Sequence, residues 1–152
     1  MKSIKEAGNL EGKRVILRLD LNVPIEDSKV VDDFRIKQSI PTINFLKDAG
    51  AKIIILAHLE GKGGTTLEPV FEYLKNTNNL DIKFIKNYWS AETKDILDNM
   101  QNGSIVLFEN LRLDKREKEN DPEFAKQLAT FGDLYLNEAF SAAHREHASI
   151  VG

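Results

Sequence analysis

Cysteine is absent from all 152 residues. That absence excludes disulfides, thiolate metal sites and a cysteine nucleophile. Long apolar runs are missing too, and none approaches the roughly 18 residues of a membrane-spanning helix. The opening residues Met1-Lys2-Ser3-Ile4-Lys5-Glu6 hold no apolar signal core. A cytoplasmic location is therefore expected, and the glycosylation-like triplet Asn102-Gly103-Ser104 is read as chance. Neither sign of charge dominates: 21 Lys and Arg stand against 24 Asp and Glu, for a formal net charge of −3. Such a chain has no bulk attraction to nucleic acid or to an anionic membrane, and neither is expected as a partner. Arginine is the scarce cation, six against fifteen lysines. Four of the six, Arg18, Arg35, Arg112 and Arg145, fall in short polar stretches. A guanidinium binds carboxylate or phosphate through two parallel hydrogen bonds, so its placement says more than its number.

What is present is a globular composition, 41% hydrophobic and 30% charged, with enough chain for one domain and one proper core. Residues 14–20 predict a strand buried on both faces. The run Val15-Ile16-Leu17-Arg18-Leu19-Asp20-Leu21-Asn22-Val23-Pro24 ends its apolar stretch in Asp20 and Asn22 before Pro24 stops regular pairing. Asp27-Ser28, between Ile25 and Lys29-Val30-Val31, predicts a short hairpin. Ile36, Ile40, Ile43 and Leu46 at helical spacing, with Gly50 just beyond, predict a helix over about residues 34–49. Pro41 inside it predicts a kink or a fresh start after Ser39. A second strand over 52–57 ends in His58, and Glu60-Gly61-Lys62-Gly63-Gly64 reads as a flexible loop. Thr65 and Glu68 have capping-box spacing ahead of a helix carrying Val70, Phe71 and Leu74. A third strand covers 81–85. Ser90 caps a helix carrying Ile96, Leu97 and Met100, and a fourth strand over 104–108 ends in Glu109 and Asn110. Asp121-Pro122-Glu123 is a helix start, with a cap, a proline at the first position and an acid in the first turn. Gly132 ends that helix, and a fifth strand over 133–136 ends in Asn137. Strands alternating with helices give an α/β fold with a mostly parallel sheet and right-handed crossovers.

Ligands of open α/β sheets sit outside the carboxyl ends of the strands. Polar clusters occupy those ends here: Asp20 and Asn22, then Asp33 and Arg35, His58, Asn110 and Arg112, and finally His144-Arg145-Glu146-His147. Three arginines and a histidine on one edge suit a small, highly anionic ligand. Asp20 and Asn22 suit a hydroxyl on it. Plainer readings stand beside these. Asp20-Leu21-Asn22 before a proline is also ordinary turn chemistry. Asp32-Asp33 also serves as a helix cap with Arg35 paired to it, and a lone His58 serves as a structural residue. His144 and His147 have no third ligand at metal spacing, so no metal site is expected. Gly61-Lys62-Gly63-Gly64-Thr65 is not a Walker loop, because Leu56 stands where that pattern needs glycine. Asp114 to Asp121, dense in both signs, reads as a solvated face.

Arg18-Leu19-Asp20-Leu21-Asn22-Val23-Pro24, Asp32-Asp33-Phe34-Arg35-Ile36, Pro41-Thr42-Ile43, Glu109-Asn110-Leu111-Arg112, Asn120-Asp121-Pro122-Glu123-Phe124-Ala125 and Ala143-His144-Arg145-Glu146-His147-Ala148-Ser149 occur in this order. Together they closely resemble the N-terminal domain of phosphoglycerate kinase, over about residues 10–152. The resemblance implies a Rossmann-like three-layer α/β/α domain with five or six strands, covering residues 1–152. It implies a glycolytic kinase that moves a phosphoryl group between 1,3-bisphosphoglycerate and ADP. Asp20 and Asn22 would hold the carboxylate and hydroxyl end of 3-phosphoglycerate. Arg35, His58, Arg112 and Arg145 would form a basic patch, with Arg35 stabilising the transferring group. Mg-ATP or Mg-ADP would belong to a C-terminal domain that the chain lacks, so no cofactor is expected bound here.

Two departures matter. The family follows its histidine with Leu-Gly-Arg-Pro, whereas His58 is followed by Leu59-Glu60-Gly61-Lys62. Gly61 stands in place of a substrate-contacting arginine, Lys62 offers only a point charge, and Glu60 adds a negative charge near an anion site. Ser141-Ala142 replaces the usual Gly-Thr. The family also runs to around 400 residues, so the expectation is a fragment or truncated product that is inactive alone. The alternative is a degenerate, non-catalytic anion-binding α/β module. A third is an incompletely folded chain whose uncovered apolar patch favours association.

Overall fold

The computed structural model describes residues 8–59, 66–113 and 121–138. In chain order the elements are β1 (Arg14–Arg18), β2 (Ile25–Glu26), β3 (Lys29–Val30), α1 (Phe34–Asp48), β4 (Lys52–Leu56) and α2 (Glu68–Thr77). There follow β5 (Ile82–Ile85), α3 (Ala91–Asp98), β6 (Ile105–Phe108), a 3-10 turn (Leu111–Leu113), α4 (Pro122–Ala129) and β7 (Leu134–Asn137). Five strands form one parallel sheet in the order β5-β6-β4-β1-β7, and β2 and β3 form a separate antiparallel ribbon.

That order decides where the helices go. From β1 to β4 to β5 the chain steps across the sheet in one direction, and from β5 through β6 to β7 it steps back. Right-handed crossovers therefore place α1 and α2 on one face and α3 and α4 on the other. Two cores follow. Val15, Leu17, Ile53 and Ile55 pack with Ile36, Ile43 and Leu46 of α1 and Val70 and Leu74 of α2. Ile16, Ile54, Leu56, Val106 and Phe108 pack with Leu97 of α3 and Phe124 and Leu128 of α4. Successive residues of one strand serve opposite cores because strand side chains alternate. The three-layer α/β/α architecture expected from the sequence is the one present.

Local signals account for most boundaries. Asp121 Oδ1 accepts from the Glu123 and Phe124 amides at 2.8 and 3.2 Å, capping α4, and Ser90 Oγ caps α3 through the Thr93 amide at 3.1 Å. Such caps are worth about 1 kcal/mol each. Gly50, at φ +80°, closes α1, with Gly50 N–H donating to Lys47 O and Ala51 N–H to Leu46 O. That is the double bond of the Schellman motif. Asp27 and Ser28, at φ 50° and 60°, make the two-residue turn between β2 and β3, the primed geometry that matches strand twist.

One expectation needs amendment. The helix does not restart at Pro41: α1 runs unbroken from Phe34 to Asp48. Ile36 on one side of Pro41, and Ile43 and Leu46 on the other, are all fully buried against the sheet, so packing holds the helix across the missing N–H. The capping box expected from Thr65 and Glu68 falls only partly within the described residues. Thr65 lies outside the described residues, and it is Thr66 Oγ1 that accepts from Glu68 N–H at 3.1 Å. Glu109, from the end of β6, takes the other contacts there: its Oε1 accepts from Leu67 N–H at 2.7 Å and its Oε2 from Thr66 Oγ1 at 2.6 Å. No helix among the described residues is long and apolar enough to cross a membrane.

Candidate anion-binding site

β6, β4 and β1 are neighbours, so whatever follows their last residues emerges along one carboxyl edge. Asp20 and Asn22 lie just beyond β1, His58 two residues beyond β4, and the turn containing Arg112 just beyond β6. Arg35 comes from the first turn of α1, which packs on the same strands. Arg145, with His144 and His147, lies outside the described residues.

Arg35 settles a choice that the sequence left open. Asp27, Asp32 and Asp33 are all nearer along the chain, yet the partner is Asp20, 15 residues back. Arg35 Nη1 is 3.1 Å from Asp20 Oδ1 and donates to the Asn22 carbonyl at 3.1 Å. Asp20 Oδ1 also accepts from Asn22 N–H at 3.2 Å. The turn after β1 and the start of α1 are thus tied into one unit. The Arg35 side chain keeps 42% of its surface exposed, and Nη1 is the nitrogen engaged among the described residues. The surface pairing with Asp32-Asp33 does not form. Asp32 Oδ1 accepts from Phe34 N–H at 3.0 Å. Asp33 holds the N-cap position without a capping bond, because its carboxylate accepts from the Tyr73 hydroxyl and pairs with Lys37 at 3.4 Å. The Tyr73 bond, partly offset by desolvation and aided by the Lys37 charge, holds the Asp33 carboxyl below the usual carboxylate range. The same bond pushes the Tyr73 phenol up.

His58 is 3% exposed and Arg18 not exposed at all. Arg18 Nη2 lies 2.9 Å from His58 Nδ1, and Arg18 Nη1 reaches Leu19 O at 3.4 Å. The strand register explains the meeting, since Arg18 pairs with Leu56 across β1 and β4. Arg18 was missed as a site residue in the sequence. Its signal was an arginine inside an otherwise apolar strand, which a buried position tolerates only with partners for the charge.

Asn110 departs from its expected place in a ligand-facing cluster. It is 2% exposed, its Oδ1 accepts from Leu59 N–H at 2.9 Å, and its Nδ2 donates to Leu59 O at 2.9 Å. A cavity of about 330 Å³ at the ends of β5 and β6 is lined by Lys86, Asn87, Tyr88, Trp89, Glu109, Asn110 and Leu113. It contains none of Asp20, Arg35 or His58.

The polar groups beyond β1 and β4 are guanidinium, imidazole and amide groups, with the Asp20 carboxylate held by Arg35 and the Asn22 amide. That set suits an anion bearing a hydroxyl. It does not suit Mg²⁺, which asks for several oxygen ligands. Among the described residues no group of three or more His, Cys, Asp or Glu is placed to hold a metal ion.

A family model described as phosphoglycerate kinase matches residues 4–152. The phosphoglycerate kinase of Dictyoglomus turgidum is 43% identical over 148 residues, which span 95% of this chain and 37% of that protein. The cytosolic phosphoglycerate kinase of Triticum aestivum is 43% identical over 149 residues, again 95% of this chain and 37% of the other. The crystal structure of phosphoglycerate kinase from Pyrococcus horikoshii OT3 superposes with a TM-score of 0.90 at 31% identity, over 100% of this chain and 40% of that one. The structure of phosphoglycerate kinase from Coxiella burnetii gives 0.83 at 36% identity, over 97% and 38%. The chain spans about two-fifths of the length of the relatives it matches.

Proposed function

Since the chain belongs to the phosphoglycerate kinase family, we propose that its strand-end edge is the 3-phosphoglycerate half of that enzyme's active site. Residues 1–152 then act as the N-terminal, glycerate-binding domain. The reaction is reversible phosphoryl transfer from the acyl phosphate of 1,3-bisphosphoglycerate to ADP, leaving 3-phosphoglycerate and ATP. The Mg-nucleotide is assigned to the part of the longer relatives that this chain does not span. A cytoplasmic setting belongs to the same proposal.

The roles follow from charge. Asp20 cannot favour a carboxylate, so it takes the glycerate hydroxyl, and the Asn22 amide can serve either group. Arg35, His58, Arg112 and Arg145 supply the wall that meets the carboxylate and phosphate charge. Phosphoryl transfer relies on positioning and on stabilising charge as it spreads over the transferring oxygens. Arg35 is assigned that task. The supporting observation is its geometry: one nitrogen is fixed by Asp20 Oδ1 and Asn22 O while 42% of the side chain remains exposed.

In-line transfer needs both substrates held together and shielded from water. The 152-residue chain alone is therefore inactive and binds only the glycerate partner. A coupled ATP-consumption assay tests the first half, and turnover well above background would overturn it. Calorimetric titration with 3-phosphoglycerate tests the second. The competing reading, a degenerate module with the fold and no useful affinity, draws on the Glu60-Gly61-Lys62 sequence after His58. No heat at millimolar ligand would favour it.

A further inference from the structure

We propose that Arg18 is a positioning residue that fixes the tautomer of His58, so that His58 meets the ligand as a neutral donor through Nε2. This rests on the reading of His58 as part of the anion-binding edge.

A guanidinium carries only donors and keeps its proton under all ordinary conditions. Arg18 Nη2 lies 2.9 Å from His58 Nδ1. Two N–H groups cannot share that distance favourably, so Nδ1 is the acceptor and the ring proton sits on Nε2. The imidazolium form would drive an Nδ1–H into the guanidinium. Burial makes the arrangement firm: neither residue exposes more than 3% of its surface. Arg18 cannot swing away, because β1 and β4 are paired in register at Arg18 and Leu56 and its Nη1 reaches the Leu19 carbonyl.

The consequence is a division of labour. The positive charge lies on Arg18, behind the ring. His58 relays it as polarisation, since a hydrogen bond accepted at Nδ1 strengthens donation at Nε2. The edge is thus less cationic than a count of its basic residues suggests.

The test is long-range ¹H–¹⁵N correlation on the uniformly labelled 152-residue chain at neutral pH. The His58 signals are assigned by their loss in His58→Gln. The expected result is a single neutral form with Nε2 protonated and Nδ1 bare. An imidazolium, or a protonated Nδ1, overturns the proposal, and this measurement needs no variant at Arg18. Arg18→Met, which fills the space without a donor, should release a population with Nδ1 protonated, and Arg18→Lys should suppress it again. An unchanged single form in Arg18→Met overturns the role of Arg18. Calorimetry with 3-phosphoglycerate should show about tenfold weaker binding for Arg18→Met than for Arg18→Lys. If the wild-type chain shows the expected tautomer and binds no 3-phosphoglycerate, the site reading fails and the positioning stands.

Discussion

Asn110 grips Leu59 by both of its backbone groups, accepting its N–H and donating to its carbonyl, each at 2.9 Å. The side chain of Glu109, one residue earlier, grips Thr66 and Leu67. Consecutive residues at the end of β6 thus anchor the chain on both sides of residues 60–65. The Tyr88 hydroxyl donates to the Glu109 carbonyl, which holds the anchor itself to the turn after β5. A polar pair at a strand end, which reads as ligand-facing, here fastens Leu59, Thr66 and Leu67.

Replacing Asn110 with Ala deletes both bonds and strands two buried backbone groups. The expected cost is about 2–4 kcal/mol, read as a lower urea midpoint at unchanged m-value. A change within about 0.5 kcal/mol, the range of an ordinary surface substitution, would show that the clamp is not needed.

Arg35→Ala should weaken 3-phosphoglycerate binding by about ten- to a hundredfold, the value of a charge-assisted hydrogen bond. It also leaves Asp20 without its cation near an incoming anion. Asp20→Asn in the same chain should therefore recover part of the loss. Additive losses in calorimetry of the two single variants and the double would contradict the coupling that the 3.1 Å contact implies.

The Tyr73–Asp33 bond makes stability depend on pH at both ends. The Asp33 pKa is lowered, so its contribution is present above the ordinary carboxylate range and is lost as pH falls through the folded value. The Tyr73 pKa is raised, so its contribution is present below about pH 10 and is lost as pH rises through the folded value. The stability gap between wild type and Tyr73→Phe should then be level in between and shrink in both arms. A gap that stays level from acid to alkali would contradict this.

A Cβ placed on Gly132 would lie 2.6 Å from Ile16 Cγ1 and 3.1 Å from Arg14 O. Gly132→Ala should cost about 1–3 kcal/mol by overpacking. Because the shortest contact is with the Ile16 side chain, Ile16→Ala combined with Gly132→Ala should cost less than the two single changes summed. Thermal denaturation of the four chains gives the comparison.

Much of this was legible because it is local. The Asp121 cap, the Gly50 terminus and the alternating cores on either side of the sheet each depend on a few adjacent residues or on a period. The partner of Arg35 was not legible. Asp32 and Asp33 are nearer in sequence, and only the meeting of the turn after β1 with α1 selects Asp20. Asn110 was misplaced for a related reason, since an amide at a strand end looks the same whether it faces a ligand or a backbone. Arg18 was visible as an oddity, but its partner depends on the register of β1 with β4. Arg145 lies outside the described residues, so its place at the edge rests on the family resemblance.

Consider finally the order in which the strands leave the ribosome. Among the described strands β1 is made first, yet one of its two neighbours in the sheet, β7, is made last. At about 5–20 residues per second of synthesis, that flank of β1 waits on the order of ten seconds for its partner. During that interval the nascent sheet can grow on the β4 side alone, and the open flank carries the apolar residues Val15 to Leu17. The requirement on the newborn chain is kinetic, that nothing else pairs there first.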